Sequence, residues 1–247
     1  MNNRDVSVIL NVYKRPETLE LQINSILNQT YKIKPENIHV WYNKSDVIQN
    51  LPKNEQIKTY NCNWNTKFFG RFTIPLLLDT EFIAMFDDDM LPGSRWIENC
   101  IDSIEKVNGI MGGSGVILDK KAYFPNHKVG WNGLHSNKIE RVDLVGHAWF
   151  YRREWIKYFW MNKPYNMNNG EDIHFSYMCQ KYENINTFVP PHPNTDMSFW
   201  STDPKFGTEK GMDNNASSLI INNHISVRDE ICKYYIYNGW NTVNLIK

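Results

Sequence analysis

From Phe82 to Phe86 five apolar residues run without a polar interruption and end directly in Asp87, Asp88 and Asp89. A half-exposed strand would alternate, so an unbroken run of this length reads as a strand buried on both faces. The chain must therefore supply cover for two sides of a sheet. The three carboxylates mark the place where that sheet meets water or a cation.

The segments before it provide strands and cover. Val6 to Val12 is a second unbroken strand, stopped by Lys14-Arg15-Pro16, and Pro16 suits the first turn of a helix. Leu19, Ile23, Ile26 and Leu27 recur at helical spacing within Glu17 to Gln29, and Ile38 to Tyr42 is again a short strand, which makes a βαβ unit. A third strand is expected around Ile57 to Tyr60, a helix over Gly70 to Leu78 and another over Trp96 to Val107. Strands alternating with helices predict an α/β fold with a single, mainly parallel central sheet flanked by helices. Ligands of such sheets bind beyond the carboxyl ends of the strands, which is where the aspartates lie.

The second half is less regular. The region Ile110 to Leu118, entered through GIMGGSGV from Gly109, is a glycine-rich strand whose spacing does not make the GxGxxG of a Rossmann phosphate loop. Val142 to Val145 and Ala148 to Tyr151 read as strands; Arg153 to Phe159, Glu171 to Lys181 and Val227 to Tyr237 read as helices. Pro190 to Asn215 is dense in Pro, Asn, Asp, Ser and Gly and reads as a long loop, of a length that usually serves as a functional lid. No repeat or linker divides the chain, so one domain over 1–247 is expected.

Lys plus Arg and Asp plus Glu are both 27, so no overall field attracts nucleic acid or an anionic membrane. Cys62, Cys100, Cys179 and Cys232 are scattered without a CxxC pair, which argues against a disulfide framework or a zinc site. No apolar stretch approaches the ~20 residues of a membrane span, and the first apolar run is too short for a signal peptide. A soluble cytoplasmic protein is the expectation.

Three adjacent carboxylates are hard oxygen ligands that repel one another, and Mn²⁺ or Mg²⁺ relieves that repulsion while coordinating phosphate oxygens. A solvated turn capping the strand is the other reading of the triplet. A cation there suits glycosyl transfer from a nucleotide-sugar, whose leaving group is a diphosphate. Glu171 and Asp172 open a helix after Asn168-Asn169-Gly170; first-turn acids often serve only as caps, but beside a metal site they become candidate catalytic groups. Arg15 and Arg71 follow elements that should end at the same sheet edge, and a guanidinium fork suits phosphate oxygens. The histidines form no HxH or HExxH pattern; His192 and His224 are kept as possible ligands.

The run NTKFFGRFTIPLLLDTEFIAMFDDDML, from Asn65 to Leu91, resembles the GT-A core of exostosin-like glycosyltransferases of family 64 and their relatives in the broad family 2 group. VSVILNVYKRPETLELQINSILNQ is similar to the first strand and helix of both. IHVWYNK resembles the exostosin-type second strand, and VDLVGHAWFYRREWI with NNGEDIHFSYMCQKY resembles the later strand pair and the acidic helix start. The order holds from Val6 to about Lys181. The resemblance implies that Arg15, Asn43, Asn65 and Arg71 contact the nucleotide, with Asp87 near the ribose. It implies that Asp89 ligates Mn²⁺ with Asp88 nearby, and that Asp172 faces the reacting sugar carbon.

A UDP-sugar donor and a glycan or glycoprotein acceptor follow from it, with a nucleotide-sugar-binding half over 1–110 and an acceptor-side half over 111–247. Family 64 retains anomeric configuration whereas most of family 2 inverts it, and the closer match favours retention. Trp131, Phe199 and Trp200 are candidates to stack on sugar faces. Two other functions stay open: a sugar nucleotidyltransferase, which would normally carry a Gly-rich basic loop where this chain has NVYKRP, and a non-catalytic nucleotide- or carbohydrate-binding protein on the same fold.

Overall fold

A computed structural model of the chain describes residues 5–46, 55–216 and 223–245. The first half runs β1 (Val6–Val12), α1 (Leu19–Leu27), β2 (Ile38–Tyr42), β3 (Lys58–Asn61), a 3₁₀ helix (Gly70–Leu77), β4 (Phe82–Phe86) and α2 (Trp96–Val107). The second half follows with β5 (Ile110–Lys120), β6 (Ala122–Gly130), β7 (Glu140–Val142), β8 (Leu144–Arg152), α3 (Ile156–Phe159), α4 (Glu171–Glu183), β9 (Thr187–Val189), α5 (Pro204–Gly211) and α6 (His224–Tyr237).

The strands form one central sheet in the order β3-β2-β1-β4-β8-β5-β9-β7, with β6 paired to β5 and helices packed around it. Its first four strands are parallel, as the βαβ pattern requires. Beyond β4 the sheet turns mixed: β8 runs antiparallel to β4 and β5 antiparallel to β8. Val8, Ile9, Leu10 and all of Phe82–Phe86 are fully buried, in keeping with their unbroken apolar runs.

Local chemistry explains the departures from the expected elements. The helix expected over Gly70 to Leu78 is a 3₁₀ helix with Pro75 inside it, a residue that lacks the N–H an α-helix would use and would clash with the carbonyl four residues back. The segment Pro190 to Asn215 is structured over much of its length. It contains α5 and a 3₁₀ turn at Met197–Phe199, and Trp200 is buried with its Nε1 donating to the Pro193 carbonyl at 2.7 Å.

An aromatic wedge fixes the helix that carries the acidic pair. Phe72 and Phe159 stack at 4.5 Å, and Phe175 of α4 meets them edge-on at 5.8 and 5.7 Å. Such pairs add roughly 0.5–1.5 kcal/mol each beyond area burial. They pin α4 against the sheet, so that its first turn lies at the same edge as the end of β4. No helix among the described residues is long and apolar enough to cross a membrane.

Candidate functional site

Phe86 pairs with Ala148 in the antiparallel ladder of β4 and β8, so the next step along each strand sets Asp87 against His147. The Asp87 N–H donates to the His147 carbonyl at 3.0 Å. His147 has a left-handed backbone, φ 67°, close to where the β5–β8 register shifts between Gly112 and Ser114. Irregularities of this kind re-aim a side chain. Ligand atoms of Asp87, Asp89 and His147 consequently all lie within 4.8 Å of one another.

The cluster fits a divalent cation on a second count. Asp89 Oδ1 is buried without a hydrogen-bond partner, and a buried polar atom left so calls for an ion or water. Burial pushes the Asp89 carboxyl above its ordinary range, and the Asp87 charge adds to this. Both effects favour a cation that restores charge balance.

Asp88, expected beside the metal, turns elsewhere. Its Oδ1 accepts from Arg15 Nη1 at 2.6 Å, and burial pushes its carboxyl up to about 7 against the pull of that guanidinium. The rest of the Arg15 fork holds Asp213: Nε and Nη2 donate to its two carboxylate oxygens at 2.8 and 2.7 Å, and Nη2 also donates to the Lys210 carbonyl at 2.7 Å. Arg15 therefore fastens the segment after α5 to the aspartate triplet.

Asn43 and Asn65 brace each other. Asn43 Nδ2 donates to Asn65 Oδ1 at 2.9 Å, Asn43 Oδ1 accepts from the Thr66 N–H at 2.8 Å, and Asn65 Nδ2 donates to the Tyr13 hydroxyl at 2.9 Å. Both line the cavity and shape its β2 end.

Arg71 is the expected nucleotide contact that the fold withdraws. It is 2% exposed and stands behind the cavity wall, ion-paired to Asp87, with Nη2 3.6 Å from Glu171 Oε1.

Glu171 and Asp172 occupy the first turn of α4, directly after Gly170, whose φ of 82° suits glycine at a position where other residues are strained. Burial pushes the Glu171 carboxyl up to about 8, and the neighbouring Asp172 adds to it. Asp172 Oδ2 accepts from Arg228 Nη2 at 2.6 Å, Arg228 Nη1 donates to Asn169 at 3.2 Å, and the guanidinium lies 4.3 Å from the Tyr123 ring centroid.

Arg15, Asn43, Asn65, the three aspartates, His147, Glu171, Asp172 and Arg228 line one cavity of about 550 Å³ beyond the carboxyl ends of β1, β2 and β4, whereas Arg71 and Asp213 stand outside it. The aspartate triplet lies on its floor, Tyr13 and Asn65 are on the β1–β2 side, and Trp131, Tyr123 and Arg228 are on the far side. Trp131 is the member of the proposed aromatic trio that reaches it. Trp200 stacks on His135 and His192, and Phe199 lies under Arg95 at 4.3 Å. His192 is thus a packing residue remote from the cluster. His224 lines the cavity and accepts from Asn169 Nδ2 at 3.1 Å, outside the three-residue cluster.

Sequence reasoning missed His147 and Arg228. The one signal for His147 was its place in the otherwise apolar run LVGHAWF; Arg228 carried none, because α6 meets Asp172 only through the tertiary fold.

The architecture, a central mixed sheet flanked by helices, is similar in fold to that of a solved glycosyltransferase. Among solved structures, residues 1–349 of S. aureus TarS, a GT-A-like glycosyltransferase, superpose with a TM-score of 0.51 at 13% identity, over 76% of this chain and 60% of that one. At that identity the likeness is one of fold, and this chain spans 60% of the neighbour's length. No family model and no curated protein sequence matches the chain.

Proposed function

We propose that the protein is a cation-dependent glycosyltransferase that moves a sugar from a UDP-sugar to a glycan or glycoprotein acceptor. The observation that carries this reading is the convergence of two sites on one cavity: the Asp87, Asp89 and His147 cluster, and Asp172 with its Arg228 partner.

Two carboxylates and an imidazole would hold the ion, and a nitrogen ligand beside oxygens favours Mn²⁺ over Mg²⁺. The ion supplies Lewis-acid stabilisation of the charge that develops on a departing diphosphate. Asn43, Asn65 and Tyr13 frame the nucleotide end of the cavity, with Asp87 toward the ribose. Arg15 and Asp88 hold the 204–216 segment over the donor.

Asp172, fixed by Arg228 at 2.6 Å and by the Ile173 N–H at 2.8 Å, presents a carboxylate to the reacting sugar carbon, with Glu171 beside it. Its role is to stabilise positive charge there during front-face transfer, which retains configuration as the exostosin-type resemblance implies. Trp131 offers a ring face on the acceptor side.

The test is hydrolysis of UDP-sugars with and without Mn²⁺. Turnover that depends on Mn²⁺ and disappears in Asp89→Ala is expected, whereas undiminished turnover in that variant would contradict the assignment. The anomeric configuration of the product, read by proton coupling constants, tests retention.

A further inference from the structure

Arg71 is the most completely enclosed charge at the site and has no path to the ligand. Its guanidinium is ion-paired to Asp87, stands 3.6 Å from Glu171, and lies 4.8 Å from the Trp149 ring centroid and 5.5 Å from that of Phe72. Nε and Nη2 have no hydrogen-bond partner, so the group is held by two carboxylates and two aromatic faces rather than by a full set of acceptors. Burying a cation this way is costly and is offset only where the opposite charges stay in place.

From this arrangement we infer that Arg71 is a positioning residue for the cation site, not a ligand of the donor: it locks the Asp87 carboxylate in the orientation that meets Asp89 and His147, and ties it to the first turn of α4 through Glu171. The inference rests on the proposed cation site. Asp87 uses one oxygen on Arg71, which fixes its rotamer and aims the remaining lone pairs toward the cluster.

The planar fork matters as much as the charge. A guanidinium can face Asp87 and Glu171 at once while lying on the Trp149 ring; an ammonium is a compact point charge and cannot span all three. The 3₁₀ helix sets this distance, since Arg71 is its second residue and Phe72, the third, is anchored in the aromatic wedge.

The experiment is titration of the nucleotide-free protein with Mn²⁺, following the free ion by electron paramagnetic resonance, in the wild type, R71K and the control F159L. Phe159 is buried in the same aromatic wedge but is neither one of the two rings that face Arg71 nor part of the cluster, so F159L reports general loosening. R71K is expected to weaken Mn²⁺ binding by about 10–100-fold, the usual range for losing an outer partner of a metal ligand, while F159L lowers the melting temperature without that loss. Should R71K fail to fold by circular dichroism, R71Q carries the same expectation. Equal Mn²⁺ affinity in wild type and R71K, or an equal loss in F159L, overturns the inference alone. A wild type that binds no Mn²⁺ overturns the proposed function with it.

Discussion

Asp87 and His147 face each other one step past the last paired rung of β4 and β8, joined by a 3.0 Å hydrogen bond from the Asp87 N–H to the His147 carbonyl. The contact makes the cation cluster a product of strand register: a one-residue slip between these strands would send either side chain to the other face. His147 holds this place in a backbone conformation, φ 67°, that most side chains avoid.

That strain separates stability from binding. A left-handed non-glycine residue costs about 1–2 kcal/mol, and glycine recovers it at a chain-entropy cost of about 0.5–1 kcal/mol. His147→Gly is therefore expected to melt no lower than the wild type, yet to bind Mn²⁺ at least ~10-fold more weakly, since ligands matter no less than their outer partners. Thermal melts and Mn²⁺ titration of one preparation check both halves.

Arg15 and Asp213 are 198 positions apart and share two hydrogen bonds. Charged hydrogen bonds of this kind contribute roughly 1.5–3 kcal/mol, and the 27% exposure of the Asp213 side chain places the effect toward the low end. Asp213→Ala should destabilise the fold by about 1–2 kcal/mol in denaturant titrations. Limited proteolysis should then cut within 204–216 sooner than in the wild type.

Gly170 carries the acidic pair into α4. A Cβ there would sit 2.5 Å from Ile231 Cδ1 on a backbone with φ 82°, so Gly170→Ala combines overlap with left-handed strain. The expected cost is about 2–4 kcal/mol. The first turn of α4 moves Asp172 directly and the cluster on β4 and β8 only through the Glu171–Arg71 contact, so turnover should fall further than Mn²⁺ affinity.

His174 makes stability depend on pH. Its Nε2–H donates to the Phe159 carbonyl at 2.8 Å and its Nδ1 accepts from the Tyr235 hydroxyl at 2.6 Å, which defines a neutral ring. Burial pushes its pKa from 6.5 down to about 4. The folded value lies below the unfolded one, so the unfolded chain takes up protons first as pH falls. The stability contribution is complete above pH 6.5, fades toward about 4, and then levels. Glu171 and Asp88, raised by burial, act in the opposite sense, so the comparison that counts is with His174→Gln. That variant should start lower and lose less between those limits; an unchanged slope would remove His174 as the cause.

The parts of the fold that were legible in the sequence are those set by local pattern. Phe82–Phe86 and Trp96–Val107 have the bounds their apolar spacing implies, and Glu171 opens its helix where Gly170 breaks the preceding loop. β6 escaped because AYFPNHKVG is largely exposed and carries Pro125, so it has little apolar signal; β9 is only three residues long. α5 was hidden by Pro204, Gly207 and Gly211, which suggest a loop until Asp203 is seen capping the Phe206 N–H at 2.8 Å. Within the site, the aspartates and the acidic pair stood out as motifs. His147, Arg228 and Asp213 did not, because each reaches the cavity or its edge through pairings between distant segments that no local spacing encodes.

Calorimetric titration with UDP, in Mn²⁺ and in EDTA, tests the central claim most directly. UDP should bind the wild type in Mn²⁺, and binding should be lost in EDTA and in Asp89→Ala. Equal UDP affinity in Mn²⁺, in EDTA and in Asp89→Ala would contradict a cation site that receives the diphosphate.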